Sequence, residues 1–393
     1  MKKSQQLLVL ISAICAYNLS SFSWWAQPQI VHTLIDKLGL SDSGAGQVVS
    51  IELLAIAVTA FVISPWIAKF HVKKVCYTAG TIAIAGHFVS ASTQAFEILF
   101  FARLGSGIAE GLILAFANGA LASTKNPDRS YALLNTWNVG SGVVLLTIMP
   151  VLEQKYGAVA VFGLIGIACL LMMPLFRHLP VKIAVVQQKK ISGDRIKTAI
   201  VMLLSLLVWG TASAMTWAFY ISIGAHTTLQ TTTVGLIAAV AALGGLVGGV
   251  FAVYVSGNYG RYIPFYIALL VHAVIAMALT HVFYNWVFIF TAPAAIACVY
   301  FILPLYLGMA AGHDPNGGLP AAMAAVFLLT GGTGPLFGGY LVEYGGVQLI
   351  GWAILTGCVF AAICNKWLIL RLSKNIDMPA RNGHDEIPPP YTG

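Results

Sequence analysis

Glu52, Arg103 and Glu110 stand inside long apolar runs of this chain. Holding a charge in hydrocarbon costs roughly 2.5–3.5 kcal/mol on insertion scales, so such residues face a partner, a watery cavity or a solute. Arg103 and Glu110 are seven positions apart and therefore lie about 20° from one another around an α-helix, with Gly107 between them. The chemistry open to this set is proton transfer. Burial and a neighbouring guanidinium pull a carboxyl's protonation in opposite senses, so moving either one switches it. Arg103 is also a candidate for holding the carboxylate of a solute. A static buried pair that merely orients one helix is the competing reading.

A second set recurs at helical spacing. Asn18, Ser21, Trp25, Gln29 and His32 fall on one face, and Pro28 within the run predicts a kink in its outer third. Trp209, Ser213, Thr216 and Tyr220, with Trp217 beside them, form a parallel stripe in the second half. Asn135, Trp137 and Asn138 extend the first wall, and Tyr300 and Tyr306 the second. The expected solute contacts are therefore Asn18, Ser21, Trp25, Gln29, Arg103, Asn135, Asn138, Ser213, Trp217, Tyr220 and Tyr300. The expected proton-coupling residues are Glu52, Arg103 and Glu110. Packing between helices would use the same residue types. His87, His272 and His281 show no partner pattern, and His32 and His226 sit near helix ends.

The elements that must position these residues are transmembrane helices. Of 393 residues 59% are hydrophobic and 9% charged, and mean hydropathy is +0.85, which excludes water as the solvent for most of the surface. Apolar runs long enough to span a bilayer cover 7–34, 44–68, 75–93, 97–123, 129–152, 158–176, 198–223, 233–255, 262–281, 286–309, 318–342 and 347–370. They are too long and too unalternating for barrel strands, so their backbones must be satisfied as helices. Of the 21 Lys and Arg, all but Lys37, Lys155 and the intramembrane Arg103 fall on one side of this arrangement. That bias predicts both termini in the cytoplasm, an even number of crossings and, for this bacterial-type pattern, the inner membrane. The net charge of +8 thus reports topology, and no nucleic-acid partner is expected. The amino-terminal run imitates a signal peptide but continues without a cleavage site, so it reads as a retained first helix.

The polar stretch around Gln187-Gln188-Lys189-Lys190 divides the chain into a six-helix bundle over 1–178, a linker over 179–197 and a second bundle over 198–371, followed by a tail over 372–393. Ser23-Trp24-Trp25-Ala26 echoes Met215-Thr216-Trp217-Ala218, as an internal duplication would leave it. The tail ends Pro388-Pro389-Pro390-Tyr391, a weak match to WW-domain ligands and more simply a disordered segment. All six cysteines lie in predicted helices without metal-ligand spacing. No catalytic constellation and no phosphate-cradling loop occurs, so neither an enzyme nor a cofactor or metal is expected.

Lys69-Phe70-His71-Val72-Lys73-Lys74, and more closely Gly257-Asn258-Tyr259-Gly260-Arg261, are similar to the basic loops of the major facilitator superfamily, which the chain resembles along essentially its whole length. Arg103-Leu104-Gly105-Ser106-Gly107-Ile108-Ala109-Glu110-Gly111 resembles its helix-4 motif associated with proton coupling. Gly334-Pro335-Leu336-Phe337-Gly338-Gly339, in helix 11, is similar to a motif that drug antiporters carry in helix 5. The resemblance implies an all-α membrane protein of twelve transmembrane helices in two pseudo-symmetric six-helix bundles, with a solute site between them and alternating access. Gly107, Gly111, Gly334, Pro335 and Gly338 are the expected conformational positions. The function expected is proton-coupled transport of a small organic solute, an amphipathic or aromatic anion, by a monomer in the lipid bilayer. The alternatives are a drug/proton efflux antiporter and, from another class, a non-transporting sensor or scaffold that signals through the tail.

Overall fold

The structure is a computed structural model and describes residues 3–183, 196–314 and 318–376; the linker motif at 187–190 and the proline-rich end of the tail lie outside the described residues. Twelve helices among the described residues are long and apolar enough to cross a bilayer, one for each run read from the sequence. The first span is α1 (Lys3–Leu19) with α2 (Phe22–Asp36). It is followed by α3 (Asp42–Ile63), α4 (Val72–Ser92), α5 (Phe96–Ala122), α6 (Pro127–Tyr156) and α7 (Ala158–Met172). The second half comprises α8 (Ile196–Ala218) with α9 (Tyr220–Gly224), then α10 (Thr231–Tyr259), α11 (Tyr262–His281), α12 (Asn285–His313), α13 (Gly318–Gly345) and α14 (Gln348–Ile376).

Local chemistry sets the ends. The Ser41 hydroxyl accepts from the Gly44 N–H at the start of α3, and Asn126 accepts from the Arg129 N–H at the start of α6, where Pro127 needs no partner. Gly157 (φ 66°) and Gly260 (φ 72°) end α6 and α10 in the left-handed region that a side chain would disfavour. The outward faces are apolar, with Phe61, Val247, Ile263 and Phe290 among the exposed side chains, as lipid contact requires.

The expected kink at Pro28 is not where the first span breaks. The interruption falls at Ser20-Ser21, and Pro28 remains inside α2. Ser21 donates to the Tyr17 carbonyl (3.0 Å) and so competes for a backbone acceptor at the break, while Ser20 donates to the Glu110 carbonyl (2.8 Å) and ties the break to α5. The seventh span is interrupted too, at Phe219, just after its Met215–Ala218 echo where the first span breaks just before Ser23.

Helices approach closely where glycine allows it. A Cβ on Gly107 or Gly111 of α5 would run into the Glu52 or Ile56 carbonyl of α3, and one on Gly248 of α10 into the Ala297 carbonyl of α12. The two halves meet at the end that is poor in lysine and arginine, where α3 packs on α13 and α6 on α10. There Gly46 abuts the Pro335 carbonyl, Gly339 abuts the Asp42 carbonyl, the Ser43 N–H donates to Glu343 (2.9 Å) and Gln47 donates to the Tyr340 hydroxyl (2.8 Å).

Proline shapes this seam in a specific way. Lacking an N–H, a proline leaves the carbonyl four residues earlier without its helical partner. Pro28 frees the Trp24 carbonyl, which accepts from the Trp217 indole of the other half (2.9 Å). Pro335 frees the Gly331 carbonyl, which accepts from Gln27 (3.3 Å). Pro150 frees the Leu146 carbonyl, which sits against Gly235 of α10. Each of these three freed carbonyls is thus turned toward the opposite half.

Candidate functional site

The three intramembrane charges converge inside the amino-terminal half, and a residue passed over in the sequence joins them. Arg103 Nη1 donates to Glu52 Oε1 (2.9 Å) and to His87 Nδ1 (3.1 Å), while His87 Nε2 lies 2.9 Å from Glu110 Oε1. Ser23 donates to the same Glu52 oxygen (2.9 Å), and the guanidinium carbon lies 5.3 Å from the centre of the Phe162 ring. Side chains of α2, α3, α4, α5 and α7 therefore meet at one point. Arg103, His87 and Glu110 are 0% exposed and Glu52 1%, which puts the cluster within the bundle and away from any solute route open in this state.

The hydrogen-bond inventory fixes the imidazole. A guanidinium has no acceptor, so His87 Nδ1 accepts from Arg103 and Nε2 carries the hydrogen that is donated to Glu110. His87 is therefore the neutral tautomer. With one fixed positive charge and two carboxyls, the cluster is neutral only when one carboxyl holds a proton. Glu52 Oε2 and Glu110 Oε2 are both buried without a partner and offer the two places for it. Glu52, His87 and Glu110 could also converge on a metal ion, but Arg103 Nη1 already occupies both Glu52 Oε1 and His87 Nδ1. The donor set fits a proton better than a cation.

The other expected solute contacts separate into two groups. Trp25, Ser213, Trp217 and Tyr300 line a cavity of about 40 Å³ between the halves, together with Trp24, Ile296, Val299, Phe327 and Thr330. At roughly 10–15 Å³ per water this space holds about three waters. The Trp25 and Trp217 rings meet edge to face at 6.0 Å. Among the described lining residues none is charged.

The rest of the first stripe faces α6 within its own half. Asn18 accepts from Ser141 (2.8 Å), Trp25 donates to Asn138 (2.8 Å), and Gln29 donates to Glu153 (2.5 Å). Ser21 bonds only its own helix, Asn135 is exposed on α6, and Tyr220 is buried against Trp217 and Phe288. Arg103, expected to serve solute as well as proton, is held by Glu52 and His87. Of the conformational positions, Gly107 and Gly111 seat α5 on α3, Gly334 and Gly338 face Ala214 and Phe219 of the seventh span, and Pro335 meets Gly46 at the seam.

Two participants were missed. His87 lies in an apolar run with no charged residue at helical spacing, and only the meeting of α4 with α5 discloses its partners. Glu153 sits at the end of the fifth run, where it reads as a solvated loop acid, yet it is 3% exposed.

Residues 13–200 match the Major Facilitator Superfamily. No curated protein sequence matches the chain. Among solved structures, a variant of the nucleoside transporter NupG is similar at 14% identity with a TM-score of 0.71, covering 93% of this chain and 99% of its own. A bacterial homologue of the human lysosomal transporter Spinster, inward-facing and unoccupied, is similar at 14% identity and a TM-score of 0.69, covering 97% and 100%. A structure from work on proton-dependent oligopeptide transporters is similar at 11% identity and a TM-score of 0.68, covering 94% and 100%. At these identities the likeness is one of fold.

Proposed function

We propose that this chain, whose residues 13–200 match the Major Facilitator Superfamily, is a membrane-embedded secondary carrier that couples a proton to the movement of a small aromatic solute. The observation that carries this reading is the charge count of the buried cluster. One guanidinium, one neutral imidazole and two carboxyls lie out of water, and they balance only with a proton on Glu52 or Glu110. Desolvation makes an unbalanced charge there costly by several kcal/mol, so gain or loss of that proton must be matched by rearrangement of α3, α4 or α5. Glu110 also sits where its backbone carbonyl receives Ser20 at the break in the first span. A shift of α5 is thereby passed to the helix that carries Trp24 and Trp25.

The cavity supports the solute class. Indole and phenol rings with Ser213 and Thr330 suit a flat ring with a few hydrogen-bonding groups. The absence of charge from the described lining, with Arg103 engaged elsewhere, favours an uncharged solute over the anion expected from the sequence. In this state the space is too small for such a ring, so the tryptophans must part to admit it. The sorting of lysine and arginine supports cytoplasmic termini. The seam is then the closed external gate, and the state is inward-facing.

The test is accumulation by purified protein in liposomes under an imposed proton gradient. The probes are uncharged heterocycles, including nucleosides, set against aromatic carboxylates. The expected result is gradient-dependent accumulation of an uncharged ring compound, abolished by Glu110→Gln while solute exchange without a gradient persists. Accumulation indifferent to the gradient, or confined to carboxylates, would overturn the reading.

A further inference from the structure

We infer that Glu153 is a second proton-binding site, loaded from the external solution, whose protonated form holds the external gate shut. It extends the proton-linked reading to an acid in a different part of the fold.

The geometry is that of a site one hydrogen short. Thr33 Oγ1 lies 2.7 Å from the Gln29 carbonyl and 2.5 Å from Glu153 Oε1, so three oxygens meet over a single hydroxyl hydrogen. The second carboxylate oxygen accepts from Gln29 Nε2 at 2.5 Å, and the amide oxygen of Gln29 is buried with no partner. Acceptors outnumber donors. A proton on Glu153 Oε1 corrects this, because the carboxyl then donates to Thr33 and Thr33 is free to donate to the Gln29 carbonyl. One O–H bond forms at Glu153 as one breaks in a hydronium ion of the external solution, which becomes water.

The charges around the site point the same way. On α2, His32 Nε2 is 3.9 Å from Glu153 Oε2 and has 17% of its side chain exposed, which places an imidazole between the acid and the solution. Asp36 and Lys37 pair with each other at 2.7 Å. On α6 itself, Lys155 rests over the Tyr156 ring. The other helices packed on this part of α6, α7 and α10, contain no Asp, Glu, Lys, Arg or His. Among the described residues the cation that reaches Glu153 besides the His32 ring is Lys37, already paired with Asp36, and the ionised acid requires water that the closed gate withholds. Pro150, one turn earlier on α6, presses on Gly235 of α10 at the seam. Hydration of Glu153 would therefore loosen the α2–α6 pair directly behind the inter-half contact.

Spin labels on Gln154→Cys and Gln230→Cys, exposed positions on opposite sides of the α6–α10 seam, read the gate in purified protein with no solute and no gradient. The expected result is a short label separation at acid pH that lengthens as pH rises. In E153Q, whose amide can donate to Thr33 as the protonated acid does, the short separation persists at every pH. In E153A the separation is also independent of pH. A separation unmoved by pH in the otherwise unaltered protein, or a pH response surviving in E153Q or E153A, would overturn the proposal. The same labels in the Glu110→Gln background should respond as the parent does, so failure of coupling at Glu110 and failure of this site are separate outcomes.

Discussion

The two halves fill corresponding places with opposite chemistry. The third helix of each, α4 and α11, buries a histidine. His87 lies between a guanidinium and a carboxyl. His272 instead accepts from the Trp209 indole (3.4 Å), with Cys358 Sγ at 3.9 Å. Around it Tyr306 shares a hydrogen with Ser205 (2.7 Å), accepts from Asn365 (3.4 Å), and packs on Phe265 and Trp209 at 4.7 and 5.8 Å. The carboxy-terminal core therefore contains neutral groups that satisfy one another without an added proton. On the proposed reading, one half of the duplicated fold carries the titration and the other the rigidity against which it acts.

Breaking the ionic side should have the largest effect. Arg103→Ala leaves two buried acids without their cation, and loss of one member of such a network costs about 3–5 kcal/mol. A large fall in melting temperature in detergent checks this, and Arg103→Ala with Glu52→Gln should recover much of that fall without restoring gradient-driven accumulation. Next in size is Glu110→Gln, which removes the need for the extra proton. Its melting temperature should equal or exceed the parent's, while accumulation falls to the level of passive exchange.

The neutral side should be far more tolerant. Tyr306→Phe removes the Ser205 and Asn365 contacts and should cost about 1–2 kcal/mol with accumulation retained, since it touches neither proton nor solute. Loss of accumulation in Tyr306→Phe would show that the division of labour between the halves is false. The smallest effect is expected from Trp217→Phe, which gives up one hydrogen bond to the Trp24 carbonyl, worth about 1 kcal/mol. Label separations across α6 and α10 should show a modest rise in the externally open population.

The twelve spans were legible because hydropathy and length alone decide whether a segment crosses a bilayer, and the side-chain order along each helix adds little to that decision. Glu52, Arg103 and Glu110 were legible for a related reason, the cost of charge in hydrocarbon. What could not be read was direction. Asn18 and Gln29 do share a face, but the sequence cannot say that it turns to α6 while Trp25, which also bonds α6, borders the space between the halves. His87 escaped because a neutral imidazole in an apolar helix carries no cost signature. Nor does the sequence say which helix supplies the donor that Pro28 denies the Trp24 carbonyl, as Trp217 does.

The carbonyls of Trp24 and Gly331 have a consequence for the opposite conformation. When the halves separate on that side, lipid tails offer these oxygens nothing, and only solvent molecules can take the place of Trp217 and Gln27. The externally open form must then carry hydration that the closed form lacks. Membrane-impermeant osmolytes outside a vesicle should draw the carrier toward the inward-facing form even when pH and solute are held constant.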